Sequence, residues 1–115
     1  MRTIDDCHRA LDLLSDNLAR ANGDLRKATA LDRSLSCRIT DLDVTFVGRL
    51  AQSRIADVTA VPGPPPERAQ IRLTMKSDDL IDLVNGELNF AKAWGSGRVK
   101  LEASLMDLLR LRTLL

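Results

Sequence analysis

The sequence is poor in the residues from which catalytic and metal sites are most often built. It contains one histidine, His8, and two cysteines, Cys7 and Cys37. Adjacent helical residues point in different directions, so Cys7 and His8 are not expected to act as a nucleophile pair. The cysteine, histidine and carboxylate residues do not show the spacing of a metal centre. We therefore expect no enzyme activity, no cofactor and no metal.

The chain also lacks charge of one sign, aromatic residues and long apolar runs. Its net charge is +1, from 17 basic and 16 acidic residues, and aromatics make up 3%. This balance excludes an electrostatic footprint for nucleic acid, and so few rings leave no stacking platform for single strands. No apolar run approaches the roughly 20 residues that span a bilayer. Asp5 and Asp6 stand where the apolar core of a signal peptide would follow.

These absences favour a soluble protein in a reducing compartment, and we expect a cytoplasmic location. Two cysteines are too few for a disulfide framework. The sequence ends in Arg-Thr-Leu-Leu, which does not match a peroxisomal address of the Ser-Lys-Leu type.

The sequence predicts one domain over residues 1–115, made of helices (1–33), strands (34–76) and a mixed segment (77–115). Thr3 and Asp6 form a capping-box-like start to a first helix that ends near Asn22-Gly23. A short second helix is expected after Asp24, with Leu31 among its apolar residues. Pairing of the first helix with another chain is an alternative to its covering a sheet.

Alternating apolar and polar residues predict the strands that follow. The alternation is clearest over 71–75 and weakest over 54–61, where the apolar residues do not settle on one face. The proline-rich run 61–66 cannot donate to a sheet and predicts a rigid hairpin spacer. Strands in one run with helices on either side are typical of an α+β fold, here with five strands in a mostly antiparallel sheet.

The last third of the chain is predicted to close against the sheet and helices that precede it. Ser77 is expected to be the N-cap of a helix that ends at Asn85-Gly86, and Asn89 begins a shorter helix that Gly95-Ser96-Gly97 interrupts. Residues 98–102 alternate as a strand, and Ser104 caps a final helix.

That final helix is apolar over well over half of its circumference. Asp107, Arg110 and Thr113 form only a narrow polar stripe. A helix that packs on one sheet needs only a modest apolar stripe. The excess is explained either by a position deep in the protein core or by contact with a second apolar object, such as a ligand, a partner or a membrane.

Three runs between residues 69 and 101 resemble the sterol carrier protein type 2 family, in its bacterial single-domain form. They are the strand Ala69–Met75, the Ser-Asp-Asp-Leu helix start at residue 77 with the turn Gly86-Glu-Leu-Asn, and Ala93–Leu101 (AWGSGRVKL). Their order and spacing match over about residues 35–115. The resemblance implies a tunnel between a five-stranded sheet and helices on one face, which holds a fatty acyl chain, a sterol or an isoprenoid. It also implies that the C-terminal helix acts as a gate.

The expected ligand-binding residues are apolar positions that can converge on such a tunnel, with one arginine at its mouth. Arg112 lies on the apolar arc of the last helix, and its guanidinium is expected to meet a lipid carboxylate or phosphate. The full set is Phe46, Leu80, Leu83, Val84, Phe90, Trp94, Leu105, Met106, Leu109 and Arg112.

We therefore expect a non-enzymatic carrier or presenter of an apolar lipid. The alternative is an interaction module that docks a partner enzyme through its apolar C-terminal helix and binds little or no ligand. The expected partners are an apolar small-molecule lipid, a membrane in transient contact and, for the alternative, an enzyme. Nucleic acid is not expected, and the sequence does not fix the oligomeric state or the lipid head group.

Overall fold

The fold is a five-stranded sheet with helices packed on one of its faces. The computed structural model describes residues 2–20 and 31–111. Among them, no helix is both long and apolar enough to cross a membrane. The helices and strands, in chain order, are α1 (Ile4–Arg20), β1 (Arg33–Ile39), β2 (Val44–Ala51), β3 (Arg54–Pro62), β4 (Ile71–Met75), α2 (Ser77–Val84), α3 (Phe90–Ser96), β5 (Lys100–Glu102) and α4 (Leu105–Leu111).

The strand order is β3-β2-β1-β4-β5, and only the central pair, β1 with β4, is parallel. Leu35 pairs with Ile71 and Ile39 with Met75 in that parallel ladder. The pairs β1–β2, β2–β3 and β4–β5 are antiparallel. The prediction of an α+β fold with a mostly antiparallel five-stranded sheet is therefore confirmed.

The prediction that the proline-rich run joins a hairpin is wrong. Strands β3 and β4 are separated by β2 and β1, so the chain must cross the sheet between them. Residues 63–70, here called the strap, make this crossing. The Thr45 hydroxyl donates to the Gly63 carbonyl (2.8 Å), and the backbone amide of Gln70 donates to Ser34 Oγ (2.8 Å). Thr45, which contacts the first residue of the strap, is fully buried. Its side chain lies on the sheet face opposite to that of its neighbours Val44 and Phe46.

Strand β3 is confirmed, and a β-bulge explains its unclear periodicity. The pairing between β2 and β3 shifts between Val47 and Arg49. Strand β3 has one extra residue here, and Asp57 takes a left-handed backbone conformation (φ 57°). Beyond the extra residue, the side chains of β3 that pointed to one face of the sheet point to the other, so the alternation in the sequence is broken. Gly48 is required here because a Cβ would lie 2.8 Å from the Ala56 carbonyl oxygen.

Helix α1 begins as predicted with a reciprocal capping box. The Thr3 amide donates to Asp6 Oδ2 (3.0 Å), and the Asp6 amide donates to Thr3 Oγ1 (3.1 Å). The predicted second helix falls on residues 24–31, of which 24–30 lie outside the described residues. Leu31 lies outside any helix and is buried against the sheet.

Three boundaries in the last third differ from the prediction. Ser77 is not the N-cap of α2 but its first residue, and Lys76 occupies the cap position. Helix α3 continues through Gly95 and ends in a left-handed turn at Gly97 (φ 83°), whereas Asn89 caps its start as predicted. Strand β5 begins only at Lys100, because Arg98 leaves the alternation to pair with Asp79 and Val99 is fully buried.

Candidate functional site

The predicted interior residues come together between the sheet and helices α1, α2 and α3. Phe46 from β2 is 2% exposed and Leu80 from α2 is 1% exposed. Leu83, Val84 and Phe90 are half-buried and pack against the same cluster. We call this group the interior cluster; its buried members are Cys7, Ala10, Leu11, Cys37, Ile39, Val44, Phe46, Met75, Leu80, Ala93 and Val99.

Trp94 reaches the interior cluster through Phe90. The two rings are four residues apart on α3, and their centroids are 5.8 Å apart at an interplanar angle of 57°. Asn89 fixes the start of this helix, because its side-chain oxygen accepts from the Lys92 amide (3.1 Å). Trp94 is half-buried, so its indole lies at the margin of the cluster.

A second apolar cluster covers the end of the sheet where β1 begins. Its buried members are Leu31, Leu35, Leu50 and Ile71. Leu73, in the middle of β4, packs against both this cluster and the interior cluster. The apolar layer on the helical face is therefore continuous along the strands. Strand β2 has eight residues, which at about 3.4 Å per residue gives a layer roughly 25 Å long.

Helix α4 is placed differently from the prediction, because Asp107 faces inward, whereas Arg110 is exposed and Thr113 lies outside the described residues. Ser104 caps the helix as expected and accepts from the Asp107 amide (3.2 Å). Asp107 is 3% exposed and accepts from Arg33 Nε (3.0 Å). Leu105 and Met106 are 73% and 65% exposed. An ion pair with β1 thus decides which side of α4 faces the sheet, and the sequence pattern did not reveal this pair.

The exposed residues of α4 do not join the interior cluster. Leu105, Met106 and Leu109, which is 50% exposed, form an exposed apolar surface that we call the α4 face. Arg112, predicted at the tunnel mouth, lies outside the described residues. The predicted site thus divides into one group between sheet and helices and another on the surface.

The start of α2 is held by a carboxylate that the sequence analysis did not assign to it. Asp41, in the β1–β2 turn, accepts from the Ser77 amide (2.8 Å) and the Ser77 hydroxyl (2.6 Å). Burial alone would raise the pKa of Asp41, but the Ser77 hydroxyl and amide outweigh it and hold that pKa below its usual value. This contact ties the helical layer to the sheet beside the interior cluster.

The interior cluster also contains both thiols. Burial, followed by the negative charge of Asp41, raises the pKa of Cys7 to about 11. Burial, with a smaller contribution from Cys7, raises the pKa of Cys37 to about 12. Both groups are therefore neutral near pH 7 and act as small apolar residues. The centroid of the His8 ring lies 5.9 Å from that of Phe46, so His8 is a neighbour of the interior cluster.

Two surface clefts adjoin the predicted site residues. One, with a volume of about 220 Å³, separates α1 from α2 and is lined by Leu13, Ile81 and Val84 among others. Another, of about 530 Å³, lies beside α4, where Met106 adjoins Arg33, Arg68 and Arg72. Within residues 2–20 and 31–111, the His, Cys, Asp and Glu side chains form no group able to hold a metal ion.

This arrangement of sheet, helices and apolar layer is that of a sterol carrier domain. The sequence matches the model of the SCP-2 sterol transfer family over residues 12–115. The chain therefore belongs to that family, which confirms the predicted family and supports lipid binding or transfer as the general kind of function. No curated protein sequence matches this chain.

Solved structures share the fold at low sequence identity. The crystal structure of a sterol carrier protein 2 matches with a TM-score of 0.64 and 15% identity, over 92% of this chain and 84% of that chain. Palmitated SCP2L2 from Aedes aegypti matches with a TM-score of 0.56 and 10% identity, over 98% and 92%. A double mutant of the sec-alkyl sulfatase PisA1 matches with a TM-score of 0.57 and 22% identity, over 99% of this chain but only 16% of that chain.

Proposed function

We propose that this protein binds and carries an apolar lipid between the sheet and its helices. The observation that carries the proposal is the continuous apolar layer in which Leu73 joins the interior cluster to the second cluster. An extended hydrocarbon chain needs a long apolar site with few polar groups, and this layer runs along β1, β2 and β4. Family membership supports the same kind of function.

The helical side of the layer supports entry of a ligand. Leu83, Val84 and Phe90 are half-buried at the margin of the interior cluster, whereas the sheet residues beneath them are buried. Side chains at such a margin can move apart at lower cost than fully packed ones. We therefore infer that the lipid enters between α2 and α3, beside the Phe90–Trp94 ring pair.

Trp94 is the single tryptophan and gives a direct test. Addition of a saturated long-chain fatty acid to the purified protein should shift its emission to the blue or quench it, because the ligand replaces water at the indole. Native mass spectrometry after gentle purification should show a lipid-mass adduct. Calorimetry should give a dissociation constant in the micromolar range, about −8 kcal/mol, with a negative heat-capacity change.

A pair of enlarging substitutions makes this test specific. Leu83→Phe adds volume at the margin of the interior cluster and should weaken fatty-acid binding. Ile4→Phe adds the same kind of volume at an exposed position of α1 and should leave binding unchanged. Silent calorimetry, unchanged Trp94 emission and no adduct from folded protein would together refute carriage of a lipid.

A second function is favoured by the α4 face and by the likeness to a part of a larger enzyme. In this reading the chain is an interaction module, and Leu105, Met106 and Leu109 dock an enzyme. The sulfatase relative supports it only as a precedent for the fold within a longer chain. Lipid-free protein that captures an enzyme through α4, with capture lost in Leu105→Ser, would favour this module over the carrier.

A further inference from the structure

A further cleft, which we call the β5 cleft, lies where strands β1 and β4 end and β5 begins. Its volume is about 560 Å³. Among its described lining residues are three cationic side chains, Lys76, Arg98 and Lys100, and one carboxylate, Asp79. A chain whose net charge is only +1 thus places an excess of two positive charges in this one cleft.

The strands of the β5 cleft turn polar side chains away from the apolar layer. Thr74 of β4 and Lys100 of β5 are partners in the antiparallel ladder, and both line the cleft. Their neighbours Leu73 and Leu101 pack against the apolar layer. Successive residues of a strand point to opposite faces. The cleft is therefore a site separate from the one proposed for the lipid.

Two of the three cations are free to meet an external anion. Asp79 is 7% exposed and is already engaged, because its carboxylate accepts from Nε (3.1 Å) and Nη2 of Arg98. Lys76 and Lys100 are exposed and form no ion pair within residues 2–20 and 31–111. Their ammonium groups therefore carry the unbalanced charge of the cleft.

Other negative groups next to the cleft are also satisfied within the protein. Asp41, which follows the lining residue Thr40, accepts from the amide and the hydroxyl of Ser77. The carbonyls at the end of α3 accept from the amides of Gly97 (3.3 Å) and Val99 (3.1 Å). An anion in the cleft therefore meets cations whose charge these groups do not cancel.

The composition of the β5 cleft fits a phosphate group. A phosphate monoester carries close to two negative charges near pH 7 and has three strong acceptor oxygens. The ammonium groups and the half-exposed guanidinium of Arg98 are donors, and the hydroxyls of Thr40 and Thr74 lie in the same lining. No described lining residue is aromatic, so a nucleobase has no ring on which to stack. The remainder of the ligand is therefore a polar aliphatic group such as a sugar or a polyol.

We propose that the β5 cleft binds the phosphate group of a small, soluble aliphatic phosphate ester. Lys76 and Lys100 attract the phosphate, and Arg98 is shared between Asp79 and the ligand. A volume of about 560 Å³ is within the range of small-molecule sites, so the cleft admits the ester as well as its phosphate. Because Thr74 and Lys100 point away from the apolar layer, the cleft can be occupied with or without a bound lipid.

Isothermal titration calorimetry of the full chain with glycerol 3-phosphate tests the proposal. We expect a dissociation constant of about a millimolar or below. Glycerol, which lacks the phosphate, should not bind at the same concentrations. Added salt should weaken the binding, because it screens charges at an exposed site. Inorganic phosphate should bind more weakly than the ester, because it leaves most of the cleft unfilled.

Matched variants should change the affinity in opposite directions. Lys76→Gln and Lys100→Gln should each weaken binding about three- to fivefold, the range of one exposed charge pair. Asp79→Asn removes the opposing charge, releases Arg98 and should strengthen binding by a similar factor. Lys92→Gln removes an exposed charge of α3 outside the cleft and should leave binding within about twofold. Circular dichroism establishes that each variant is folded, and the two lysine variants decide the test if Asp79→Asn unfolds the protein.

Three results would overturn the proposal. Folded protein that does not bind glycerol 3-phosphate, or an equal loss in Lys92→Gln, would remove the site. Inorganic phosphate that binds as tightly as the ester would overturn the assignment of an ester and leave free phosphate as the ligand. Fatty-acid binding by the same lysine variants is a separate readout, so failure of this site and failure of lipid carriage are distinguished.

Discussion

Helices α2 and α4 both follow a strand directly and both bury an ion-paired carboxylate, but among the described residues only α2 also buries a leucine. Helix α2 turns Leu80 inward and leaves Asp78 76% exposed. Helix α4 turns Asp107 inward and leaves Leu105 73% exposed. The hydrophobic pattern shows which residues of a helix can be buried, but in α4 the buried ion pair of Asp107 with Arg33 decides which side faces the sheet.

The inverted orientation of α4 has an energetic cost that the ion pair offsets. A buried carboxylate without a partner would be strongly unfavourable. Asp107 is stabilised by Arg33, whose side chain is 31% exposed, and its backbone amide donates to the hydroxyl of the cap residue Ser104. Leu105 and Leu109 remain exposed to solvent, which is the reason to look for an apolar partner at this surface.

The comparison predicts very different costs for the same substitution in the two helices. Leu80→Ala removes a fully buried side chain and should lower the free energy of unfolding by about 2–5 kcal/mol. Leu105→Ala should change it by no more than about 0.5 kcal/mol, since little area is lost from the core. Urea unfolding followed by circular dichroism measures both. Equal losses would show that α4 is packed as a core helix in solution.

Breaking the ion pair of α4 should have the next largest effect. Asp107→Ala leaves Arg33 without its partner and should cost about 1–3 kcal/mol, because hydrogen bonds to charged groups are worth this much when partly buried. Asp78→Ala is the matched control, because this carboxylate also pairs with an arginine, Arg2 (3.1 Å), but at the surface. It should lower the free energy of unfolding by less than about 1 kcal/mol.

A double-mutant cycle sharpens this second test. If Arg33→Ala and Asp107→Ala act through one contact, the double mutant should lose less than the sum of the single losses. Strict additivity would mean that the two residues stabilise the fold separately, and the account of the orientation of α4 would then fail.

The fold was largely predictable because its signals are local. The capping box at Thr3, the cap at Asn89 and the left-handed turn at Gly86 depend on neighbouring residues, and all three are present. The crossover of the strap was not predictable in this way. Strand order depends on which strands pair across the sheet, and the spacing of β3 and β4 in sequence carries no such information.

The candidate site was predictable only where burial follows apolar character. Phe46 and Leu80 are interior residues, as their pattern indicates. The orientation of α4 depends on Arg33, which lies 74 residues from Asp107. Asp41 and Ser77 are 36 residues apart. Such long-range polar contacts leave no trace in local periodicity, and they account for the errors at Ser77 and Asp107.

The smallest effect is expected at Ser77, and its dependence on pH is the diagnostic feature. The Ser77 hydroxyl and amide hold the pKa of Asp41 below its ordinary value of 3.8. A carboxylate whose pKa is lowered by folding contributes stability that is present above the unfolded pKa. That stability is lost as the pH falls through the folded pKa.

Ser77→Ala removes the hydroxyl and should move the pKa of Asp41 upward. The variant should lose about 1 kcal/mol at pH 7, since Asp41 is exposed and its charge is screened, and the loss should shrink as Asp41 is protonated in acid. Asn89→Ala is the matched control. It deletes a neutral cap of α3 at a similar cost of about 1 kcal/mol, and no carboxylate takes part in that contact. Its loss should therefore stay constant with pH. If the two variants respond to pH alike, Asp41 does not hold α2 through its charge, and Ser77 acts as an ordinary buried hydroxyl.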